Sequence, residues 1–204
     1  ALAPRSTEPE ALRRLAPRVQ RLSDAFTASR PPTFGNYARA AEDRLAYGLW
    51  YFPQSWVRTR LPLAEARAVR GYAPPGDRRL RLLDVGAGSG AAGLSAATWL
   101  ASLPGGRPVD LVALDHAPQA LECLRRLASE ALPTAVRPEV RTATHDLRQP
   151  SEWPTCAAGP FDLVIASFVL NELAASDPAG SRSWRCSSRT CPPSMAPSHV
   201  ASCW

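Results

Sequence analysis

The sequence predicts an α/β fold in which a parallel sheet follows an α-helical N-terminal segment. Two observations lead to this prediction. From residue 80 onward, short apolar runs alternate with helical patterns, as in the βαβ units of parallel sheets. Before that point the apolar residues recur every three or four positions, which is the helical period. We therefore divide the chain into a helical segment at 1–76, an α/β core at 77–173 and a tail at 174–204.

The helical segment is predicted to contain three helices. Over residues 8–28 one apolar stripe runs along a helix that Pro17 interrupts. Residues 36–52 predict a second helix, and residues 54–71 a third, which Pro62 bends or splits. The stripe of the first helix consists of Leu12, Leu15, Val19, Leu22 and Phe26.

The α/β core begins after a turn, "APPGD", and its strands are short and apolar. The four predicted strands are "LRLLDV" (80–85), "VDLVALD" (109–115), "EVRTATHD" (139–146) and a strand that opens "FDLVIASFVL" (161–170). Helices are predicted between them over 89–102 and 117–132.

The tail at 174–204 differs from the core in composition. It contains no Leu, Ile, Phe or Tyr, but it has eight Ser and three of the five Cys. No periodicity predicts a strand, so we expect residues 180–204 to be irregular and poorly packed. The tail is typical of translation in a shifted reading frame of GC-rich DNA. The alternative is a genuine disordered or metal-binding tail, although the spacing of Cys186, Cys191, His199 and Cys203 matches none of the common zinc templates.

The basic residues are all Arg, and they are concentrated before the core. The chain has a net charge of +6; residues 1–83 hold 15 Arg and 7 acidic residues, a net charge of +8. Such a segment either contacts an anionic polymer or is a solvated Arg-rich surface. No apolar run is long enough for a membrane span or a signal peptide, and five Cys without a framework fit a reducing compartment. We expect a cytoplasmic protein.

Two glycine patterns overlap after the first strand, and they favour different ligands. Gly88, Gly90 and Gly93 form a GxGxxG, the pattern that binds the pyrophosphate of a dinucleotide. The second pattern, DxGxGxG, begins at Asp84 and has its first glycine at Gly86. It places the Asp84 carboxylate beside the same loop, where this group would repel pyrophosphate. S-adenosylmethionine carries a sulfonium and an ammonium, so an acid helps to bind it. A domain that binds a dinucleotide or another nucleotide remains the alternative.

Acidic residues also end the next two strands. Asp115 ends the second, where a carboxylate can accept hydrogen bonds from both ribose hydroxyls. Asp146 ends the third, where it can accept one from the adenine amino group. These positions agree with the choice of S-adenosylmethionine.

"LLDVGAGSG", "LVALD" and "ATHDL" resemble the first three ligand-binding motifs of class I methyltransferases. The resemblance implies a Rossmann-like fold whose sheet normally has seven strands; since four are readable, we expect this fold to be truncated after the fourth strand. It also implies that the acceptor side includes Asn171 and Glu172, where "FVLNEL" disfavours methylation of adenine N6 or glutamine. The catalytic residue stays unknown, and the two side chains either orient an acceptor or cap a helix. The implied cofactor-binding residues are Asp84, Gly86, Ala87, Gly88, Gly90, Asp115, His116, Asp146, Leu147 and Ser167.

"FDLVIASFVLNEL" and "AYGLWYFPQSWVRTRLPLAEA" also resemble the methyltransferase-like proteins of the ribosomal small subunit. This resemblance implies a partner in small-subunit rRNA or the ribosome. It allows either an active methyltransferase or an inactive assembly or translation factor. The cysteine cluster that the family often carries is not recognisable in this sequence.

An aromatic run with two arginines lies within the helical segment. It either stacks bases and holds phosphates, or packs the helices against the core. We favour packing, because large aromatic side chains dominate cores and interfaces. The residues are Trp50, Tyr51, Phe52, Trp56, Arg58 and Arg60.

Overall fold

In the computed structural model, two helices precede an α/β unit. The structure describes residues 9–26, 40–74, 76, 78–147, 153–169 and 200–201. No helix within these ranges has the length and apolarity needed to cross a membrane. The predicted helical segment and α/β core are therefore both present.

The two N-terminal helices are longer than the sequence predicts. Helix α1 spans Pro9–Asp24 and continues through Pro17, and helix α2 spans Ala41–Arg70 as one helix of 30 residues. The predicted interruption of α1 and the predicted division of α2 are wrong. Prolines at positions 53 and 62 lie inside α2, while Ala46, Thr59 and Leu63 are buried along it. Tertiary packing on both sides of each proline outweighs the cost of proline in a helix interior, about 3 kcal/mol for the lost hydrogen bond and the steric clash together.

Helices α1 and α2 pack against each other through a small apolar cluster. Leu15 and Leu22 of α1 are buried together with Ala46 of α2. At the edge of this cluster, the Arg18 guanidinium pairs with both Glu42 and Asp43. The stripe predicted from the sequence thus faces the second helix.

Within the described residues, the α/β unit contains five strands and two helices. The strands are β1 (Leu80–Val85), β2 (Val109–Asp115), β3 (Glu139–Thr144), β4 (Leu163–Ile165) and β5 (Val200–Ala201). The helices are α3 (Ala91–Ser102) and α4 (Pro118–Arg126), and a π-helical turn, Leu127–Ala131, extends α4. Single 3-10 turns lie at Thr134–Val136 and Thr155–Ala157.

The strands form one parallel sheet in the order β3-β2-β1-β4-β5. The order 3-2-1-4 is that of a Rossmann-like doubly wound sheet, so the predicted fold class is confirmed. Strands β1 and β2 lie inside the sheet and read as almost continuous apolar runs, as expected where both faces are covered.

Helix α3 lies between the sheet and helix α2. Nine of its residues, including Ser95 and Thr98, are buried, which explains why its sequence is Ala-rich on every side. The Ser95 hydroxyl donates a hydrogen bond to the Trp56 carbonyl oxygen of α2 at 2.6 Å. Arg60 of α2 donates to Ser95 Oγ at 3.2 Å and to Thr98 Oγ1 at 3.1 Å. The predicted boundary after residue 76 falls between α2 and β1.

The tail contributes a fifth strand that the sequence does not predict. Val200 and Ala201 pair in parallel with Val164 and Ile165 of β4. The prediction of an irregular segment is therefore wrong at these two residues, and the sheet does not end at its fourth strand. The remaining tail residues, including the cysteines and His199 considered for zinc, lie outside the described residues.

Candidate functional site

The candidate site lies at the carboxyl edge of the sheet, beside the point where the strand order reverses. Strands β2 and β3 extend from one side of β1, and β4 pairs with its other side. Ligands of open α/β sheets bind in the crevice that this reversal leaves. The glycine loop begins there, directly after Val85.

The glycine loop is held by the neighbouring strand. The backbone N–H groups of Gly86 and Ala87 both donate to the Leu114 carbonyl oxygen, at 2.8 and 2.9 Å. Gly86, Gly88 and Gly90 have φ angles of 73°, 53° and 86°. This left-handed backbone suits glycine, so the three predicted glycines have a conformational reason for their identity.

Asp84 is a buried carboxylate between the sheet and the start of helix α3. Asp84 is 1% exposed, and its Oδ2 accepts a hydrogen bond from the backbone N–H of Gly93 at 2.9 Å. A Cβ on Gly93 would lie 2.5 Å from that oxygen, so only glycine admits this contact. The third glycine of the GxGxxG pattern thus lets the helix approach the strand.

Burial raises the pKa of the Asp84 carboxyl to about 7. The nearby Asp115 carboxylate raises the pKa further by repulsion, while the hydrogen bond from Gly93 opposes the rise. Near neutral pH this group is therefore divided between its charged and neutral forms. A positively charged ligand nearby would favour the charged form.

Asp115 binds backbone N–H groups on both sides of the crevice. Its Oδ2 accepts the N–H of Gly88 at 2.8 Å, and its Oδ1 accepts the N–H of Ala117 at 2.8 Å. His116 is half exposed, and its Nδ1 lies 3.5 Å from Asp115 Oδ1. The carboxylate thus ties the glycine loop to the segment that leads into α4.

The two carboxylates occupy N–H groups that an anionic ligand would need. A pyrophosphate binds the N–H groups of a glycine loop and of the following helix N-terminus. Here the Gly88 N–H is bound by Asp115, and the Gly93 N–H, in the first turn of α3, is bound by Asp84. A phosphate would have to displace these bonds and would meet two acids, so the geometry disfavours a dinucleotide.

Buried polar atoms without a hydrogen-bond partner lie around the same edge. Among the described residues they include Asp84 Oδ1, Ser89 Oγ and His145 Nε2. Buried polar atoms are nearly always hydrogen-bonded in folded proteins, so such a group calls for an explanation. A polar ligand or ordered water at the crevice would supply the missing partners.

The third strand ends beside an aromatic side chain. His145 is 8% exposed, its backbone N–H donates to the Asp115 carbonyl oxygen at 2.9 Å, and its ring lies 5.7 Å from that of Trp153. Asp146 and Leu147 follow it and are half-buried. The predicted adenine-side residues thus lie at the same sheet edge as Asp115.

The segment after β4 crosses the glycine loop. A Cβ on Gly86 would lie 2.5 Å from Val169 Cγ2, so the two residues pack directly. Ser167 is half-buried nearby in sequence, and Phe168 has a φ of 62°. The predicted acceptor-side residues Asn171 and Glu172 lie outside the described residues.

The aromatic run of α2 serves mainly in packing, as favoured from the sequence. Tyr51 stacks on Tyr47 with ring centroids 5.6 Å apart, and Phe52 stacks on Trp56 at 5.9 Å. Trp56 packs against the main core, and Arg60 lies 5.2 Å above its ring. Trp50 and Arg58, by contrast, are exposed.

Several residues at the site, His145 and Val169 among them, are not identified from the sequence. Gly93 is the last glycine of the GxGxxG pattern, but that pattern predicts a phosphate site rather than a contact with Asp84. Ser89 and Phe168 have no sequence signal, because a buried hydroxyl without a partner and a left-handed aromatic residue are consequences of tertiary structure.

A groove of about 430 Å³ lies away from this site, on the outer side of α4 and β3. Its arginines have partners: Arg125 pairs with Glu122, and Arg126 with Glu130. Arg137 donates to the Leu132 carbonyl oxygen at 2.9 Å. We assign the candidate site to the sheet edge, because the unpaired polar atoms named above lie there.

Comparisons find similar solved structures, while no protein-family model and no curated protein sequence matches. TrmN from Thermus thermophilus is 25% identical with a TM-score of 0.34, and the match covers 57% of this chain and 31% of TrmN. Magnesium protoporphyrin IX methyltransferase from Synechocystis PCC 6803, solved with bound SAM, is 18% identical with a TM-score of 0.38, covering 74% and 56%. The CMeT domain of the citrinin polyketide synthase is 15% identical with a TM-score of 0.46, covering 78% and 42%. The chain thus spans 31–56% of the length of these three proteins.

Proposed function

We propose that the chain binds S-adenosylmethionine at the carboxyl edge of its sheet and functions in methyl transfer. The observation that carries this proposal is the occupation of the Gly88 and Gly93 N–H groups by two aspartates. That arrangement suits a ligand that is positively charged and has no phosphate.

The residues of the crevice fit this cofactor. Asp84 Oδ1 is buried without a partner and would accept a hydrogen bond, directly or through water, from the methionine ammonium. Asp115 would accept hydrogen bonds from the ribose hydroxyls, since each of its oxygens retains acceptor capacity after binding one N–H group. Asp146 would bind the adenine amino group.

Bound S-adenosylmethionine would supply a methyl group already activated by its sulfonium. The protein then contributes chiefly by placing donor and acceptor in line and by excluding water. The loop from Gly86 to Gly90 lets the backbone approach the donor closely. Val169, packed on Gly86, fixes the segment after β4 next to that loop.

Calorimetric titration of the full chain with S-adenosylmethionine, and separately with NAD, tests the proposal. Asp115→Ala should weaken S-adenosylmethionine binding by about 1–3 kcal/mol, because buried hydroxyls lose a charged acceptor. Asp110→Ala is the matched control, since Asp110 lies at the amino end of β2 and pairs with Arg79. Preferential binding of NAD would overturn the proposal.

A narrower form of the proposal takes small-subunit rRNA, or the ribosome, as acceptor or partner. It is supported by the net charge of +8 over residues 1–83 and by exposed arginines on α1 and α2. Its non-catalytic form, an assembly or translation factor, differs only in turnover. Transfer of a tritiated methyl group to small-subunit RNA distinguishes the two forms.

A further inference from the structure

Phe168 has a strained backbone at the edge of the proposed donor site. Its φ of 62° is the only positive value at a non-glycine residue within the described ranges. An aromatic residue pays a steric cost for this conformation, and such strain is concentrated at functional sites. The side chain is 38% exposed, so burial of the ring does not account for the strain.

Arg58 of helix α2 faces the same ring. Its Cζ lies 6.0 Å from the centroid of the Phe168 ring, within reach of a cation–π contact. One N–H group donates to Gln54 Oε1 at 3.2 Å, and no carboxylate pairs with Arg58 among the described residues. A guanidinium has five N–H donors, so Arg58 retains donors for another group.

Arg60, the neighbouring arginine of α2, differs from Arg58 because its guanidinium is already bound to helix α3. Arg60 is held by Ser95 and Thr98 and by the Trp56 ring, and it serves to dock α2 on α3. The Arg58 side chain reaches the segment after β4, at the carboxyl edge of the sheet, and makes no comparable docking contact with the described residues. The contact between Val169 and Gly86 places the Phe168 segment directly beside the glycine loop.

We propose that Arg58 and Phe168 together bind the methyl acceptor, and that this acceptor has a planar ring next to an anionic group. The ring of the acceptor would stack on Phe168, and its anionic group would accept hydrogen bonds from Arg58. This inference rests on the proposed function, since it places the acceptor beside the donor site. The anionic group is either the phosphate of a nucleotide or an aromatic carboxylate.

Two matched pairs of probes test the inference on the full chain. S-adenosylhomocysteine binding is first measured by calorimetry. At saturating S-adenosylhomocysteine, the chain is then titrated with uridine 5′-monophosphate against uridine, and with benzoate against benzamide. We expect the charged member of at least one pair to bind about tenfold more tightly, as for a charge-assisted hydrogen bond. The pair that shows the preference identifies the source of the anion.

Three variants assign the preference to these residues. Arg58→Gln should abolish it, while Phe168→Leu should weaken both members of the pair and leave their ratio unchanged. Arg107→Gln is the matched control, because Arg107 is exposed at the amino edge of the sheet, away from the proposed site. A preference that survives Arg58→Gln, or the absence of any preference, overturns the inference. Failure to bind S-adenosylhomocysteine contradicts the proposed function itself, so the two failures are distinguishable.

Discussion

Asp84 and Gly93 fix the distance between the first strand and the helix that follows the glycine loop. The Gly93 N–H donates to Asp84 Oδ2 at 2.9 Å, and the position of a Gly93 Cβ would be 2.5 Å from that oxygen. Because the carboxylate is buried in the central strand, it cannot move aside. Asp84 is the acid of the DxGxGxG pattern and Gly93 is the last glycine of the GxGxxG pattern. The buried position of Asp84 thus requires glycine at position 93.

Gly93→Ala should destabilise the protein, although alanine is the better helix former. The added methyl group must push α3 away from β1, and overpacking of this kind costs about 1–3 kcal/mol. Gly76→Ala is the control, since Gly76 is exposed and has open space around it. Urea unfolding measures both variants, and a Gly93→Ala protein as stable as the wild type would contradict the assigned contact.

Gly90→Ala and Gly105→Ala separate the cost of backbone conformation from the cost of packing. Both glycines have left-handed φ angles, 86° and 71°. A Cβ on Gly105 meets nothing within 4 Å, whereas one on Gly90 would overlap the Leu124 side chain. Gly105→Ala should cost about 1–2 kcal/mol from conformation alone, and Gly90→Ala about 1–3 kcal/mol more. Equal unfolding free energies for the two variants would show that Leu124 adjusts freely.

Particular elements show how far the sequence could predict this structure. The bounds of β1 and β2 were predicted to the residue, because both are apolar runs between polar or turn-forming residues. The continuity of α2 is not predictable from the sequence, because proline favours a break in a helix and only tertiary packing outweighs that preference. A two-residue strand such as β5 has no pattern of its own and is defined by its pairing with β4.

The sequence predicts some residues of the candidate site but not the contacts between them. Asp84, Asp115 and the glycines follow from strand ends and spacing, so their positions were predicted. Which N–H group each carboxylate binds depends on how α3 and the loop are placed in three dimensions. The contact of Arg58 with Phe168 joins residues 110 positions apart, and no local pattern predicts it.

Asp84→Asn should change how stability depends on pH. The folded protein holds the Asp84 proton up to its raised pKa of about 7, whereas the unfolded chain loses the proton near the ordinary aspartate pKa of 3.8. Stability therefore falls as the pH rises between these values, and the full loss, at most about 4 kcal/mol, is present above pH 7. Asparagine does not ionise, so the variant should gain stability relative to the wild type from pH 5 to pH 8.

Urea unfolding of the two proteins at pH 5, 6, 7 and 8 measures this difference, in which the contributions of other groups cancel. Parallel profiles would show that the pKa of Asp84 is not raised. The variant should also bind S-adenosylmethionine more weakly at pH 8, since it lacks the negative charge. Greater stability together with weaker binding is the combination expected of a ligand-binding acid, and a purely structural aspartate would not produce it.

Three exposed arginines of the helical segment provide the test of RNA contact. Arg14, Arg18 and Arg21 have acidic partners, so their own positive charge is already compensated. The exposed arginines Arg13, Arg67 and Arg70 make no ion pair among the described residues.

If these three arginines bind phosphates, replacing all of them with Gln should weaken RNA binding and its dependence on salt. Each phosphate contact to a single strand contributes about 0.7 to the slope of log K against log salt concentration, so the slope should fall by roughly 2. Arg107→Gln, at the amino edge of the sheet, is the control for a surface arginine away from both helices. Filter binding of small-subunit RNA over a salt series gives the slopes.

Substitution in the whole chain is preferable to removal of the helices, because Leu63 and Trp56 of α2 pack in the core and their loss would expose α3. An unchanged slope would mean that the arginines form a solvated surface, and the case for an RNA partner would then lose its electrostatic support.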